Sequence, residues 1–327
     1  MKSNNISILG AGNMGTTLAG VIAENGYNVL LCGKRQEVID DINKNNKNQT
    51  YLPGVKLSKN ISATLDIKKI IDFSDIIIIA IPSIYLCPTI QEIPKGLLNN
   101  KTIINCTKGI ELENLRFMTK VLKNELGKDF NGKIADLSGP SIAKELSQKM
   151  LTAVIIASDD DATLNRLKKI FTTDYFKVET SKDMIGVEVG GVLKNIYSIG
   201  IGMCDVLVGS MNTRALLLTQ ALKEMSALGE KMGANKKTFY GLSGIGDLIA
   251  TCLSEHSRNR RFGKLFAEGC SIEEAQKEIG QITEGYYAAE AVHKLSKKYG
   301  IKMPFAEHVY QILYKGKDAK ELLLKGL

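Results

Sequence analysis

Tryptophan is absent from this chain of 327 residues, and histidine and proline are scarce, with three and six residues. The six cysteines are scattered, and no pair has the spacing of metal ligands or of a redox motif. The histidines share no ligand spacing either, so the sequence indicates no metal site. The longest purely apolar run, Ile76 to Pro82, falls far short of the roughly 20 residues of a membrane span.

A secretory signal would need an apolar stretch ahead of the folded domain, but a glycine loop begins at Gly10 after one short predicted strand. Scattered cysteines fit a reducing compartment, so we expect a cytoplasmic protein with no membrane span. The net charge of +8 favours anionic partners. Phosphorylated metabolites are favoured over nucleic acid, because no basic stripe is interleaved with aromatic residues.

Short β-rich apolar runs alternate with helical stretches from Ile6 to about Phe176, which is typical of a parallel sheet with helices on both faces. After about Asp183 the strand signals stop, and apolar residues at helical spacing continue to Leu327. The sequence therefore predicts an α/β doubly wound domain over residues 1–183 and an all-helical domain over residues 184–327. The predicted strands are Ile6–Leu9, Val29–Cys32, Ile76–Ile81, Thr102–Cys106, Ile134–Leu137 and Leu151–Ala157. We interpret Lys44–Gln49 as a polar loop.

The glycine loop Gly10-Ala11-Gly12-Asn13-Met14-Gly15 follows the first predicted strand and opens a predicted helix at Met14–Asn25. Gly10 permits a tight turn, Gly12 lets backbone approach a pyrophosphate, and Gly15 lets helix and strand pack closely. An ordinary strand-to-helix turn is the alternative. The position in the chain favours a Rossmann-type dinucleotide site.

Gly33-Lys34-Arg35 stands at the end of the second predicted strand, where an NAD-specific site usually carries an acidic residue for the ribose 2′-hydroxyl. Two cations suit a 2′-phosphate instead. We therefore predict a preference for NADPH (NADP), with NADH (NAD) as the second cofactor, and a solvated basic turn is the alternative.

Two loops follow predicted strands at the edge where open α/β sheets bind ligands. Lys108 lies just past Thr102–Cys106, and Ser138-Gly139-Pro140-Ser141 follows Ile134–Leu137. Both could contact a substrate, but from the residues alone a surface lysine and an ordinary turn are the favoured interpretations.

A predicted helix carries Gly190-Gly191 one turn before Lys194. Two glycines inside a helix destabilise it by roughly 1 kcal/mol each relative to alanine, so something needs the space that they leave. One hypothesis puts a substrate there, beneath a desolvated lysine that exchanges a proton with it. Close helix packing, with Lys194 pointing to water, is the other.

Two further helix starts carry polar groups. Asp247 precedes the apolar stretch Leu248–Leu253 and is a natural N-cap. Ser257 is the predicted N-cap of a helix that opens with Ser257-Arg258-Asn259-Arg260-Arg261. The hydroxyl, the guanidinium groups and the free N–H groups of this run suit a phosphate clamp. A solvated basic face is the alternative.

These stretches together resemble bacterial NAD(P)-dependent glycerol-3-phosphate dehydrogenases over essentially the whole chain. The likeness rests on seven motifs in order: GAGNMGTTLA at Gly10–Ala19, YLPGVKL at Tyr51–Leu57, NCTKGIE at Asn105–Glu111, SGPSIAKE at Ser138–Glu145, EVGGVLKN at Glu188–Asn195, GLSGIGDLIATC at Gly241–Cys252 and SRNRRFG at Ser257–Gly263. The chain departs from common family sequences at Asn13-Met14 and at Ile142.

The resemblance implies a fold like that of 6-phosphogluconate dehydrogenase and a role for each matching residue. Lys194 would be the catalytic acid and base, with Lys108 and Asp247 beside it. The implied substrate-binding residues are Lys108, Gly139, Ser141, Lys194, Asn195, Asp247, Ser257, Arg258 and Asn259. The implied cofactor-binding residues are Gly10, Gly12, Asn13, Met14, Gly15, Lys34, Arg35, Tyr51, Lys108, Ala143, Arg258, Ile282 and Glu284.

The implied reaction is the reversible reduction of dihydroxyacetone phosphate to sn-glycerol 3-phosphate, which feeds glycerophospholipid synthesis. A homodimer is compatible with the sequence. Three alternatives stay open: a related hydroxyacid or sugar-phosphate dehydrogenase, a non-catalytic NADPH-sensing regulator, and a basic RNA-binding protein.

Overall fold

A computed structural model of the protein describes residues 4–94 and 96–321, which group into two compact units. The first unit holds the described residues up to Thr107, together with Met118–Leu137 and Ala143–Met184. The second holds Lys108–Phe117, Ser138–Ile142 and the described residues from Ile185 onward. A single division at residue 183 therefore misses two segments of the second unit, 108–117 and 138–142.

An eight-stranded sheet forms the centre of the first unit, in which six neighbouring strands pair in parallel and the other two pair in parallel with each other. This doubly wound arrangement confirms the predicted fold class. The strands of the sheet are β1 Asn5–Leu9, β2 Asn28–Cys32, β3 Ile61–Thr64, β4 Ile76–Ile79, β5 Thr102–Asn105, β8 Lys133–Ser138, β9 Thr152–Ala157 and β10 Phe176–Ser181. Their order across the sheet is β10-β9-β8-β5-β4-β1-β2-β3. Two short strands, β6 Ile110–Glu111 and β7 Arg116–Phe117, form a small hairpin in the second unit.

The interior strands follow from their composition. All four isoleucines of β4 are buried, as expected for a strand covered by helices on both faces. Two strands that were not predicted from the sequence, β3 and β10, lie at the two edges of the sheet. The predicted strand Leu151–Ala157 begins one residue too early, because Leu151 is 77% exposed and precedes β9.

Helices of the first unit pack on both faces of the sheet around two apolar clusters. They are α1 Asn13–Glu24, α2 Gln36–Asp40, α3 Ile67–Phe73, α4 Leu86–Gln91, α5 Met118–Leu126, α6 Ala143–Ser147 and α7 Asp161–Phe171. The stretch interpreted as the loop Lys44–Gln49 is more ordered than that. A π-helical turn spans Asp41–Asn45, and Lys47 pairs with Lys56 in an isolated β-bridge.

The second unit is helical apart from its hairpin, and it has its own apolar core. Its helices are α8 Met184–Leu207, α9 Met211–Lys231, α10 Asp247–Leu253, α11 Arg258–Ala267, α12 Ile272–Ile279, α13 Glu284–Tyr299 and α14 Pro304–Lys315. Among the described residues α8 alone is long and apolar enough to cross a membrane, but 89% of its apolar window is buried inside the protein. It is the central core helix of this unit, with Tyr197 and Ile201 wholly buried.

Candidate functional site

The glycine loop between β1 and α1 has the backbone that its sequence predicts. Gly10 takes a φ of +123°, which side-chain-bearing residues rarely adopt, and a Cβ there would overlap the Ala80 carbonyl. A Cβ on Gly15 would overlap the Gly10 carbonyl oxygen, so this glycine is needed for close packing. A Cβ on Gly12 would meet nothing within 4 Å, which leaves open space beside the loop.

These residues fit a dinucleotide pyrophosphate. Helix α1 starts at Asn13, and its N-terminus directs backbone N–H groups and a positive dipole end toward an anion. The side-chain Oδ1 of Asn13 is buried and has no hydrogen-bond partner within the described chain. Met14 is partly buried against the apolar core of this unit.

Two cations flank the end of β2, and each lies over an aromatic ring. The Lys34 Nζ is 5.4 Å from the centre of the Tyr85 ring, and the Arg35 guanidinium carbon is 5.7 Å from the centre of the Tyr51 ring. Both cations are exposed, and neither is paired with a carboxylate in the part of the chain that the structure describes. The structure thus brings together three residues predicted to bind the cofactor: Lys34, Arg35 and Tyr51.

A buried carboxylate between two lysines is the centre of the second unit's polar cluster. The Lys194 Nζ lies 2.5 Å from Asp247 Oδ1, and the Lys108 Nζ lies 2.9 Å from Asp247 Oδ2. The side chains are 10%, 17% and 2% exposed for Lys194, Lys108 and Asp247, respectively. Asp247 is the first residue of α10, and its carboxylate contacts the lysines; the local N-cap interpretation is therefore wrong.

The electrostatics of this cluster suit proton exchange near neutral pH. Burial lowers the pKa of Lys194 to about 8, and the Asp247 charge keeps it from falling further. Burial alone would raise the pKa of Asp247, but attraction to Lys108 and Lys194 outweighs it and holds that pKa below its ordinary value. The aspartate is therefore ionised beside a lysine that can both give and take a proton.

The two glycines of α8 provide space for this cluster. A Cβ on Gly190 would overlap the Ser243 carbonyl, so α8 packs directly on the backbone before α10. A Cβ on Gly191 would lie 2.6 Å from Ser138 Oγ and 3.5 Å from the Lys108 side chain. The Ser138 hydroxyl, at the start of the loop singled out in the sequence, is buried and has no hydrogen-bond partner within the described residues.

The start of α11 gathers the predicted phosphate-binding residues. Ser257 caps the helix by accepting a hydrogen bond from the backbone N–H of Arg260, 3.2 Å away, which confirms its predicted role as N-cap. Asn259 donates to Asn195 Oδ1 at 3.0 Å and accepts from the Gly285 N–H at 2.9 Å. Asn259 therefore ties the start of α11 to α8 and to the first turn of α13.

The three arginines of this helix do not act together. Arg258 donates to Gln281 Oε1 at 2.9 Å at the exposed helix start. Arg260 is 7% exposed and pairs with Asp205 at 2.7 Å, and Arg261 pairs with Glu278 at 2.7 Å. Two of the three guanidinium groups are thus paired with carboxylates, and Arg258 is the arginine at the exposed start of the helix.

The remaining predicted residues lie on loops and helix starts of both units. Gly139 has a φ of +122°, and Ser141 donates to its carbonyl at 3.0 Å. Ala143 begins α6 in the first unit. Ile282 lies in the loop before α13 in the second unit, and Glu284 is the first residue of that helix.

Thr251 is a further residue that the sequence analysis missed. Its hydroxyl donates to Asp247 Oδ1 at 3.1 Å. The signal was present in the sequence, since residues four apart on one helix share a face. No cluster of three or more potential metal-binding residues of the types His, Cys, Asp and Glu occurs among residues 4–94 and 96–321.

Comparisons with known proteins cover both units. Family models described as NAD-dependent glycerol-3-phosphate dehydrogenase N-terminus and C-terminus match residues 5–164 and 183–324. A glycerol-3-phosphate dehydrogenase (NAD(P)+) of Staphylococcus epidermidis is 40% identical over 309 residues, which are 94% of this chain and 93% of that protein. The solved glycerol-3-phosphate dehydrogenase of Coxiella burnetii superposes with a TM-score of 0.93 at 36% identity, over 98% of each chain. That of Saccharomyces cerevisiae gives 0.84 at 30% identity, also over 98% of each chain.

Proposed function

The chain belongs to the family of NAD-dependent glycerol-3-phosphate dehydrogenases, and from that membership we propose how its own residues carry the reaction. The enzyme reduces dihydroxyacetone phosphate to sn-glycerol 3-phosphate with NADPH or NADH, and the product supplies glycerophospholipid synthesis. The observation that carries the proposed mechanism is the buried cluster of Lys108, Asp247 and Lys194.

Lys194 is the proton donor in this proposal. When bound, the reduced nicotinamide supplies a hydride to the carbonyl carbon of the substrate. The carbonyl oxygen then gains negative charge, and Lys194 gives it a proton from its Nζ, so that the ketone becomes an alcohol. Asp247 keeps Lys194 charged before the transfer, and Lys108 adds a second cation that favours the developing negative oxygen. The reverse reaction uses neutral Lys194 as the base.

The start of α11 holds the substrate's phosphate. A phosphate dianion there would meet the free N–H groups of the helix N-terminus, the Arg258 guanidinium and the Asn259 amide. Binding energy from this remote group fixes the carbonyl for attack. Gly139 and Ser141 are proposed to complete the substrate contacts.

Lys34 and Arg35 set the cofactor preference in this proposal. Two exposed cations at the end of β2, with Gly33 where an acidic residue would bind a 2′-hydroxyl, favour the 2′-phosphate of NADPH. The first unit is proposed to hold the dinucleotide, and the second to hold the substrate and the proton-transfer residues.

Cellular location and assembly are also proposals. No disulfide joins the cysteines within the described residues, which supports the cytoplasm, where thiols stay reduced. A homodimer is the assembly that we propose, and light scattering of the purified protein tests it.

Replacing Lys194 with alanine tests the mechanism. We expect the rate of dihydroxyacetone phosphate reduction to fall by about 10²- to 10⁴-fold, the usual contribution of a general acid, while NADPH binding is retained. Lys236→Ala is the control, because that lysine side chain is 56% exposed. Full turnover by the Lys194→Ala variant would remove the proposed proton donor. Activity of the wild-type enzyme on 6-phosphogluconate but not on dihydroxyacetone phosphate would instead favour the sugar-phosphate alternative.

A further inference from the structure

Asn48 has a buried side-chain amide that contacts the glycine loop. It is 1% exposed and lies between the π-helical turn Asp41–Asn45 and Tyr51. Its side-chain Nδ2 donates to the Ala11 carbonyl at 3.0 Å and to Thr16 Oγ1 at 2.8 Å. Its Oδ1 accepts from the backbone N–H of Tyr51 at 3.3 Å.

These contacts fix the direction of one peptide group in the loop. A trans peptide is planar, so its carbonyl and its N–H point in opposite directions. Because Asn48 holds the Ala11 carbonyl toward the protein interior, the Gly12 N–H of the same peptide group points away from Asn48. Gly12 is also the loop position beside which a Cβ would find open space.

We propose that Asn48 is a positioning residue for the cofactor: it holds the Ala11–Gly12 peptide so that the Gly12 N–H faces the dinucleotide's pyrophosphate. This inference rests on the proposed cofactor site in the first unit. The same side chain anchors the start of the segment that carries Tyr51, which lies under the Arg35 guanidinium. Asn48 thus couples the pyrophosphate loop to the residues proposed to hold the 2′-phosphate.

The chain offers a control in the same segment. Asn43 also makes two hydrogen bonds to backbone, donating to the Ala63 carbonyl at 2.9 Å and accepting from the Ala63 N–H at 2.8 Å. Ala63 belongs to the edge strand β3 and not to the glycine loop. Asn43 is exposed whereas Asn48 is buried, so thermal unfolding must report the stability of each variant separately. A positioning role predicts that cofactor affinity falls in Asn48→Ala and not in Asn43→Ala.

The experiment measures the dissociation constants of NADPH and NADH by nicotinamide fluorescence, together with KM values and thermal unfolding. We expect Asn48→Ala to weaken both cofactors about tenfold, as for the loss of one buried hydrogen bond, and to leave KM for dihydroxyacetone phosphate within about twofold. Asn43→Ala should bind both cofactors as the wild type does.

Asn48→Asp is the second variant, and it keeps the shape of the side chain and the acceptor for Tyr51. It replaces the donor to Ala11 with a carboxylate oxygen, so we expect a loss of NADPH affinity at least as large as for Asn48→Ala. Wild-type affinity in a folded Asn48→Asp or Asn48→Ala variant would overturn the inference, and so would equal losses in the Asn43→Ala control. Failure of the wild-type enzyme to bind either cofactor would instead overturn the proposed cofactor site.

Discussion

The Asp247 carboxylate holds the proton on Lys194, so removing its charge should move the pH dependence of the reaction. In the wild type the pKa of Lys194 is about 8, and it is lowered by burial and held up by Asp247. Asp247→Asn keeps the size of the side chain but removes the charge that both lysines contact. We therefore expect the pKa of Lys194 to fall in this variant, because Lys108 then repels it without compensation.

The size of the pKa shift follows from the general strength of a close ion pair. Two unit charges about 4 Å apart attract by about 4 kcal/mol at an effective dielectric constant of about 20, which corresponds to about 3 pKa units. Rearrangement of water and of the new amide will offset part of this. We therefore expect the pKa of Lys194 to fall by about 1 to 3 units. In the proposed mechanism reduction needs the protonated lysine, so the wild-type rate should fall as pH rises through about 8, and the variant's rate should fall at least about one unit lower.

The assay is kcat/KM for dihydroxyacetone phosphate with saturating NADPH, measured from about pH 5.5 to 9.5 for both enzymes. Breaking a buried ion pair destabilises a protein by about 3–5 kcal/mol, so thermal unfolding must first show that the variant is folded. The rate of glycerol 3-phosphate oxidation should instead rise as the pH increases through the same value. A descending limb that stays at the wild-type pH in Asp247→Asn would refute the coupling between Asp247 and Lys194.

Two other predictions concern charged residues away from this cluster. The double variant Lys34→Ala with Arg35→Ala should weaken NADPH binding at least about tenfold and leave NADH binding nearly unchanged, because only NADPH has the 2′-phosphate. Equal losses measured by titration with the two cofactors would contradict the assignment. Asp205 is a buried carboxylate that binds Arg260 at 2.7 Å, so Asp205→Asn should lower the free energy of unfolding by about 3–5 kcal/mol in urea. Arg261→Gln on the same helix breaks only a half-exposed pair and should change it by less than about 1 kcal/mol; comparable losses in the two variants would argue against a structural role for the buried pair.

The sequence predicted the interior of the sheet better than its edges. The run Ile76–Ile79 has no polar residue and lies in the middle of the sheet, where both faces are covered. The edge strands Ile61–Thr64 and Phe176–Ser181 alternate buried and exposed residues, because part of each faces water. Their apolar residues are fewer and more widely spaced, so the signal of an apolar run is weak there. A search for two-residue alternation could have found Phe176 and Val178.

The sequence indicated candidate site residues more readily than it indicated the side chains that each of them contacts. Local patterns could not show that Asp205, three turns beyond Lys194 on α8, would bind Arg260 and remove it from the predicted phosphate clamp. In the same way, the position of Asp247 at a helix start suggested a cap, whereas its real partners are 53 and 139 residues away in the chain. Such pairs form only when the chain folds, because each local segment is consistent with several partners.

The sequence left two hypotheses for the glycine pair of α8: space for a substrate beneath a desolvated Lys194, or close helix packing with Lys194 pointing to water. The structure supports a part of each. Gly190 serves close packing, since the Ser243 backbone occupies the space that a side chain would need. Lys194 nevertheless does not point to water, because its ammonium group is buried against Asp247. Gly191 lies against the Ser138 hydroxyl, and a Cβ there would be in ordinary contact with the Lys108 side chain, which reaches the same carboxylate. Helix packing and lysine burial therefore support one another: the close approach permitted by the glycines excludes water from the cluster, and that exclusion is what lowers the pKa of Lys194 into the range where it can exchange a proton.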